Sequence, residues 1–122
     1  MTDAGALADV EFCYLTTTGR TTGRDHRIEI WFVTHDEGVF VLSGSTRSDW
    51  YRNLMADPRV TLEIAGDSRA TVAHPVDPTD PANHIVRPAI RAKYQAGSTG
   101  EDLSGWSRSA SLVRIEWPAR PE

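Results

Sequence analysis

The sequence predicts a small, partly open β-barrel of about six antiparallel strands with two helices packed outside it. Three observations point there. Short runs of apolar and polar residues alternate with period two along most of the chain, joined by connections too short for parallel crossovers. Two stretches alone have helical spacing. No crossover helix follows the one glycine-rich turn, which removes the doubly wound dinucleotide fold. The chain has 122 residues, 39% of them hydrophobic and 25% charged, so it builds one domain with a modest core. That domain is expected over residues 10–118, with 1–9 as a flexible lead.

Val10 to Leu15 reads as the first strand. Leu15-Thr16-Thr17-Thr18-Gly19-Arg20-Thr21-Thr22-Gly23-Arg24 follows, a turn rich in donors. Gly19 and Gly23 can take positive φ and let a ligand approach the backbone. Arg20 and Arg24 offer forked donors suited to phosphate or carboxylate. The turn is either an anion cradle or a solvated hairpin loop. Arg27 to Thr34 is the second strand, with Ile28, Ile30 and Phe32 on one face and Arg27, Glu29, Trp31 and Val33 on the other. Trp31 is core or subunit interface on one reading and substrate wall on the other. His35 to Gly38 turns the chain into a third strand, Val39 to Ser43.

Ser48 is placed to cap a helix over Asp49 to Ala56, stopped by Asp57-Pro58. Arg59 to Ile64 and Arg69 to Val76 flank a turn at Ala65 to Ser68 and form a hairpin. Asp80 and Pro81 open a second helix reaching about Gln95, with Val86, Ile90 and Tyr94 on one stripe and a break or kink expected at Pro88. Ala96 to Gly105 is a polar, glycine-rich loop. Ser111 to Trp117 makes the last strand.

Composition narrows the function. A net charge of −4 argues against a nucleic-acid binder. No apolar run approaches the roughly 20 residues of a membrane span, and the first residues lack the pattern of a secretory signal. A cytoplasmic protein is expected. Cys13, the single cysteine, reads as a small buried hydrophobe. His26, His35, His74 and His84 are scattered, so no metal site is expected. Neither a nucleophile elbow nor a Walker loop is present. An enzyme built from this chain would need a cofactor to carry the chemistry. Twelve of the thirteen basic residues are arginine, which suits a local site for a planar, multiply anionic ligand.

The ordered set Leu15-Thr-Thr-Thr-Gly-Arg-x-x-Gly, Trp31-Phe32-Val33, Leu42-Ser43-Gly44, Trp50-Tyr51-Arg52-Asn53-Leu54 and Asp57-Pro58-Arg59-Val60-Thr61 resembles the deazaflavin-dependent nitroreductase and quinone reductase family. Lys93-Tyr94-Gln95 and Leu103-Ser104-Gly105-Trp106 extend the likeness over roughly residues 10 to 117. The resemblance implies a six-stranded antiparallel split β-barrel, mainly β and related to the FMN-binding oxidoreductases, with two to three flanking helices. It implies a homodimer and coenzyme F420, an 8-hydroxy-5-deazaflavin with a phosphate and an oligoglutamate tail. By position, Arg20, Thr21, Thr22, Gly23 and Arg24 would meet the phosphate and tail. Ser43, Gly44 and Ser45 would lie along the ring, and Trp50, Arg52 and Asn53 would hold the phosphate end or ring edge. The partner would be a small-molecule electron acceptor such as a quinone, nitroaromatic or enone. The catalytic residues are left open, with Tyr94 and Trp106 as the candidates by nearness to the family's pocket-lining tyrosines, and the proton would come from solvent or a tyrosine hydroxyl. The chain departs from the family where Thr21 replaces a frequent lysine and where Ser45 and a shorter loop replace a second one. FMN in the same barrel, or a non-catalytic flavin or deazaflavin binder, is the alternative.

Overall fold

The structure is a computed structural model that describes residues 4–95 and 102–118. Seven strands and three helices make it up: β1 (Cys13–Thr18), β2 (Asp25–Ile30), β3 (Val33–His35), β4 (Gly38–Ser43), α1 (Asp49–Ala56), β5 (Arg59–Ile64), β6 (Asp67–Pro75), α2 (Ala82–Gln95), α3 (Ser104–Ser109) and β7 (Ser111–Glu116). The strands form one curled antiparallel sheet, a half-barrel, in the order β2-β1-β5-β6-β7-β4-β3. The two outermost strands are thus consecutive in the chain, joined by Trp31 and Phe32.

That junction corrects the sequence reading. The strand predicted over Arg27 to Thr34 is two strands, which makes seven rather than six. The pairing of β2 with β1 ends at Ile30, and the pairing of β3 with β4 begins at Val33. Phe32 turns its ring into the core, where it is fully buried. Its backbone leaves the ladder and is satisfied by side chains instead: its N–H donates to the Tyr94 hydroxyl at 2.9 Å, and its carbonyl accepts from Lys93 Nζ at 2.9 Å. An alternating pattern cannot register such a corner, because both halves keep the same period. The first strand also begins later than predicted, at Cys13. Val10 and Leu7 instead pack half-buried side chains against the core, and the Val10 N–H donates to the Leu7 carbonyl at 3.0 Å after a 3-10 turn at Ala4–Leu7. Of the predicted loop from Ala96 to Gly105, residues 96–101 lie outside the described ones, and Ser104 and Gly105 belong to α3.

Two apolar cores share the sheet. Inside its curl lie Leu15, Val39, Val41, Leu62, Ile64, Ile115 and Trp117, closed off by Trp50 and Leu54 of α1. On the other face Val33, Phe40, Leu42 and Leu112 pack against Val86, Ile90 and Tyr94 of α2 and Leu103 before α3. β4 is therefore buried on both sides along its whole length, which explains the unbroken apolar run Val39 to Leu42. Each such side chain contributes roughly 1.5–3 kcal/mol when fully buried.

The turns follow their residues. Ala65 and Gly66 take φ of 52° and 84° and close the β5–β6 hairpin, the geometry of a tight two-residue turn. Asp80 accepts the Ala82 N–H at 2.9 Å and starts α2 as predicted. Pro88 lies inside α2, which continues through it. Val86 and Ile90 anchor the helix on either side, and that burial offsets the lost backbone bond.

Burial pushes the Cys13 thiol up to about 12, and the Tyr94 hydroxyl, also chiefly by burial, to about 12. Both groups are held neutral in the folded chain and ionise more easily when it unfolds. Their contribution to stability is complete below about pH 9 and is lost as pH rises toward 12. Urea midpoints should therefore fall steadily between pH 9 and 11, and Cys13→Ala should flatten the start of that fall. A midpoint that does not change with pH over this range would show that neither group is held neutral.

Candidate functional site

The turn between β1 and β2 is built by its own hydrogen bonds. Gly19 N–H donates to the Arg24 carbonyl at 2.7 Å, and Gly23 N–H to the Gly19 carbonyl at 2.8 Å. Gly23 takes φ of 73°, a position that favours glycine. Gly19 is needed for room instead: a Cβ there would stand 3.0 Å from both the Arg24 carbonyl and the Thr22 hydroxyl. Thr22 Oγ1 accepts the Arg24 N–H at 3.2 Å, while Thr21 is exposed.

One buried amide joins this turn to α1. Asn53 Oδ1 accepts the Arg20 backbone N–H at 3.1 Å and the Arg20 guanidinium at 2.8 Å, and its Nδ2 donates to Thr17 Oγ1 at 3.1 Å. Arg20 reaches Asp49 as well, at 3.3 Å. Asn53 is 2% exposed, so its bonds lie in a setting where an unpaired polar group is costly. Arg20 and Asn53 are thus engaged with each other. Arg24, Arg47 and Arg52 are the exposed guanidiniums of this end, with no side-chain partner among the described residues. Trp50 turns inward to the core, edge-on to Tyr51.

From the start of α1 the chain leads back to the end of β4. The hydroxyls of buried Ser43 and of Ser48 stand 3.0 Å apart, and both reach the Ser45 carbonyl. Ser45 Oγ accepts the Arg47 N–H at 3.0 Å. Gly44 is exposed, and a Cβ on it would lie 3.7 Å from the Trp106 indole. Trp106 forms one wall of a cleft of about 590 Å³ lined by Glu29, Ile30, Trp31, Leu42, Asp102, Leu103 and Trp106. That volume is in the range of small-molecule sites. The two indoles meet edge to face at 5.9 Å.

Each wall is fixed from behind. Trp31 stacks on Tyr94 with ring centres 4.3 Å apart and planes 4° from parallel. The Tyr94 hydroxyl accepts the Phe32 N–H and lies 2.6 Å from the Glu11 carbonyl. Lys93 donates to the Val10 and Phe32 carbonyls at 2.7 and 2.9 Å. On the other side Arg87 holds α3: its Nη1 lies 3.2, 3.1 and 2.7 Å from the carbonyls of Ser107, Arg108 and Ala110, and its Nε donates to Asn83.

Of the residues picked out in the sequence, the structure brings the Gly19–Arg24 turn, Arg52, Asn53 and the Ser43–Ser45 segment into one continuous strip ending at Trp106. Tyr94 lies behind the cleft wall, its hydroxyl on the backbone. Glu29, Ile30 and Asp102 were not singled out, and Leu42 and Leu103 entered only as parts of the family motifs, with no site role. Ile30 and Leu42 read as ordinary strand positions, and Asp102 sat in a polar stretch that reads as solvated, so periodicity and composition held no signal for them. No group of histidine, cysteine and carboxylates able to hold a metal occurs among the described residues. No described helix is long and apolar enough to cross a membrane.

The curled antiparallel half-barrel with its flanking helices is a fold of the split-barrel type. The sequence profile of the F420H(2)-dependent quinone reductase family matches residues 2–103, and the chain belongs to that family. None of the curated proteins compared with it matches. Solved structures share the fold at low identity. The heme storage protein HutZ of Vibrio cholerae is 22% identical with a TM-score of 0.74, over 93% of this chain and 86% of its own. An F420-H2 dependent reductase, FDR-A, is 16% identical with a TM-score of 0.67, over 86% and 93%. A structure described as a domain-swapped dimer is 14% identical with a TM-score of 0.67, over 86% and 79%.

Replacing Asn53 with alanine leaves the buried Thr17 hydroxyl and the Arg20 N–H without their partner, and should lower stability by roughly 2 kcal/mol. Arg20→Ala, which removes a partly exposed guanidinium, should cost clearly less. Urea unfolding of the two variants checks this; equal losses, or no loss for Asn53→Ala, would show that the amide does not hold the turn.

Proposed function

We propose that the chain is an F420H2-dependent reductase that delivers a hydride to a flat, unsaturated acceptor such as a quinone, nitroaromatic or enone. The observation that carries this reading is the strip that runs from the Trp106 cleft through Gly44 and the start of α1 to the exposed arginines. Its donor set fits a molecule with a planar ring at one end and anions at the other. Ser43, Gly44 and Ser45 with the indole of Trp106 would hold the ring, and Arg24, Arg47 and Arg52 would hold the phosphate and acidic tail.

Reduced F420, when bound, supplies a hydride, and the acceptor takes it with one proton. The chain's own residues do the rest. Ile30, Leu42 and Leu103 would exclude water from the cleft, and the edge-to-face pair of Trp31 and Trp106 would orient a flat acceptor lying against it. Tyr94 is not arranged as a proton donor: its hydroxyl is bonded to backbone and burial pushes it up to about 12. We assign the proton to solvent, and its donation need not be fast where hydride transfer comes first. We place the protein in the cytoplasm.

A fluorescence titration of the purified chain with F420, run beside one with FMN, tests the reading. Saturable binding of F420 at micromolar concentration or below is expected, weakened about tenfold or more in Arg24→Ala/Arg52→Ala through lost charge-assisted bonds. Binding of FMN alone would keep the cleft and replace the cofactor. Binding of neither would overturn the proposal. We also propose a homodimer, an assembly that one structural relative's description supports for that protein. Light scattering at micromolar concentration should give twice the chain mass, and the monomer mass would refute it.

A further inference from the structure

The charges around the aromatic cleft are not balanced. Glu29 stands on the outer strand β2, opposite Tyr14 of β1, and its Oε1 is 3.4 Å from the Tyr14 hydroxyl, a neutral donor. No cation pairs with it among the described residues. Arg27, the basic residue on its own strand face, is turned to Glu63 at 3.5 Å and to the Tyr14 ring at 3.9 Å. Lys93, behind the cleft wall, is committed to two backbone carbonyls and lies over the Phe32 ring at 4.0 Å. Across the cleft, Asp102 accepts from the Ser104 N–H at 2.9 Å and has Arg91 3.7 Å away. The lining itself holds two carboxylates and no basic group, and its remaining walls are aliphatic or indole.

We propose that the cleft lined by Trp31 and Trp106 selects planar rings by charge, taking cationic or neutral ones and rejecting anionic ones, with Glu29 as the residue that sets this preference. A cation in the cleft gains from the indole surface that lines it and from the unpaired carboxylate. An anion in the same place meets Glu29 with nothing on the lining to offset it. The arginine end of the strip has the opposite sign, so the two ends sort their ligands differently. That the occupant is the electron acceptor rests on the reductase reading above; the charge preference of the cleft does not.

Equilibrium dialysis of the whole chain, without cofactor, against N-methylphenazinium, phenazine and phenazine-1-carboxylate tests this. The three share one tricyclic ring, carry at most one small substituent and differ in charge. The wild type should bind the cation about tenfold or more tighter than the anion at low salt, with the neutral ring between, and added salt should narrow the gap. Glu29→Gln should bring cation and anion together and leave the neutral ring unchanged. Trp106→Ala should weaken all three, which assigns the binding to this cleft. Equal binding of cation and anion by the wild type, or a preference untouched in Glu29→Gln, would overturn the proposal. The salt dependence of the wild type decides the matter should the variant not fold. A failed F420 titration with the dye order intact would refute the reductase reading and leave this inference standing; F420 binding with the dye order reversed would do the opposite.

Discussion

The fold turns on how the backbone of one residue is satisfied. Phe32 leaves the ladder at the corner between the two outer strands, so its N–H and carbonyl have no strand partner, and a buried backbone group without one is costly. Tyr94 and Lys93, adjacent on α2, supply the missing bonds and carry them on to the Glu11 and Val10 carbonyls. Helix, corner and N-terminal segment are thereby tied at one point. The Tyr94 ring then serves a second purpose, as the surface on which Trp31 lies flat. A structural knot thus ends as the wall of a cleft.

Asn53 performs the parallel task at the other end of the strip. A primary amide offers acceptor and donor together, so one side chain can hold the Arg20 turn and the Thr17 hydroxyl at once. Because Arg20 is engaged inward, the free positive charge of that end belongs to Arg24, Arg47 and Arg52. The motif that looked most like a binding element is partly a structural one, and its neighbours supply the open donors. Engaged and exposed groups thus lie side by side along the strip.

Membership of the F420H(2)-dependent quinone reductase family was legible because the motifs recur in order. So were α1 and β5, whose predicted bounds are those observed, since Asp57-Pro58 and an alternating six-residue run are local signals; the expected Ser48 cap is not made, because its hydroxyl turns back to the Ser45 carbonyl. The α2 start was set by Asp80 for the same reason. The break at Trp31–Phe32 was not legible: it depends on a hydroxyl and an ammonium more than sixty positions away. Nor was α3, whose Ser104-Gly105 opening has poor helix propensity and which is held by Arg87 from another helix.

The sequence by itself determined an antiparallel, mainly β domain with two amphipathic helices, an arginine-rich turn and the absence of a self-sufficient catalytic motif. These follow from period, caps and composition, which act over a few residues. Only the tertiary structure decided that the β1–β2 turn, the first turn of α1 and the end of β4 form one strip, that Trp31 and Trp106 face a common cleft, and that Glu29 stands there without a cation among the described residues. Those facts depend on where the curled sheet brings distant residues together, and no local pattern encodes a distance across a fold.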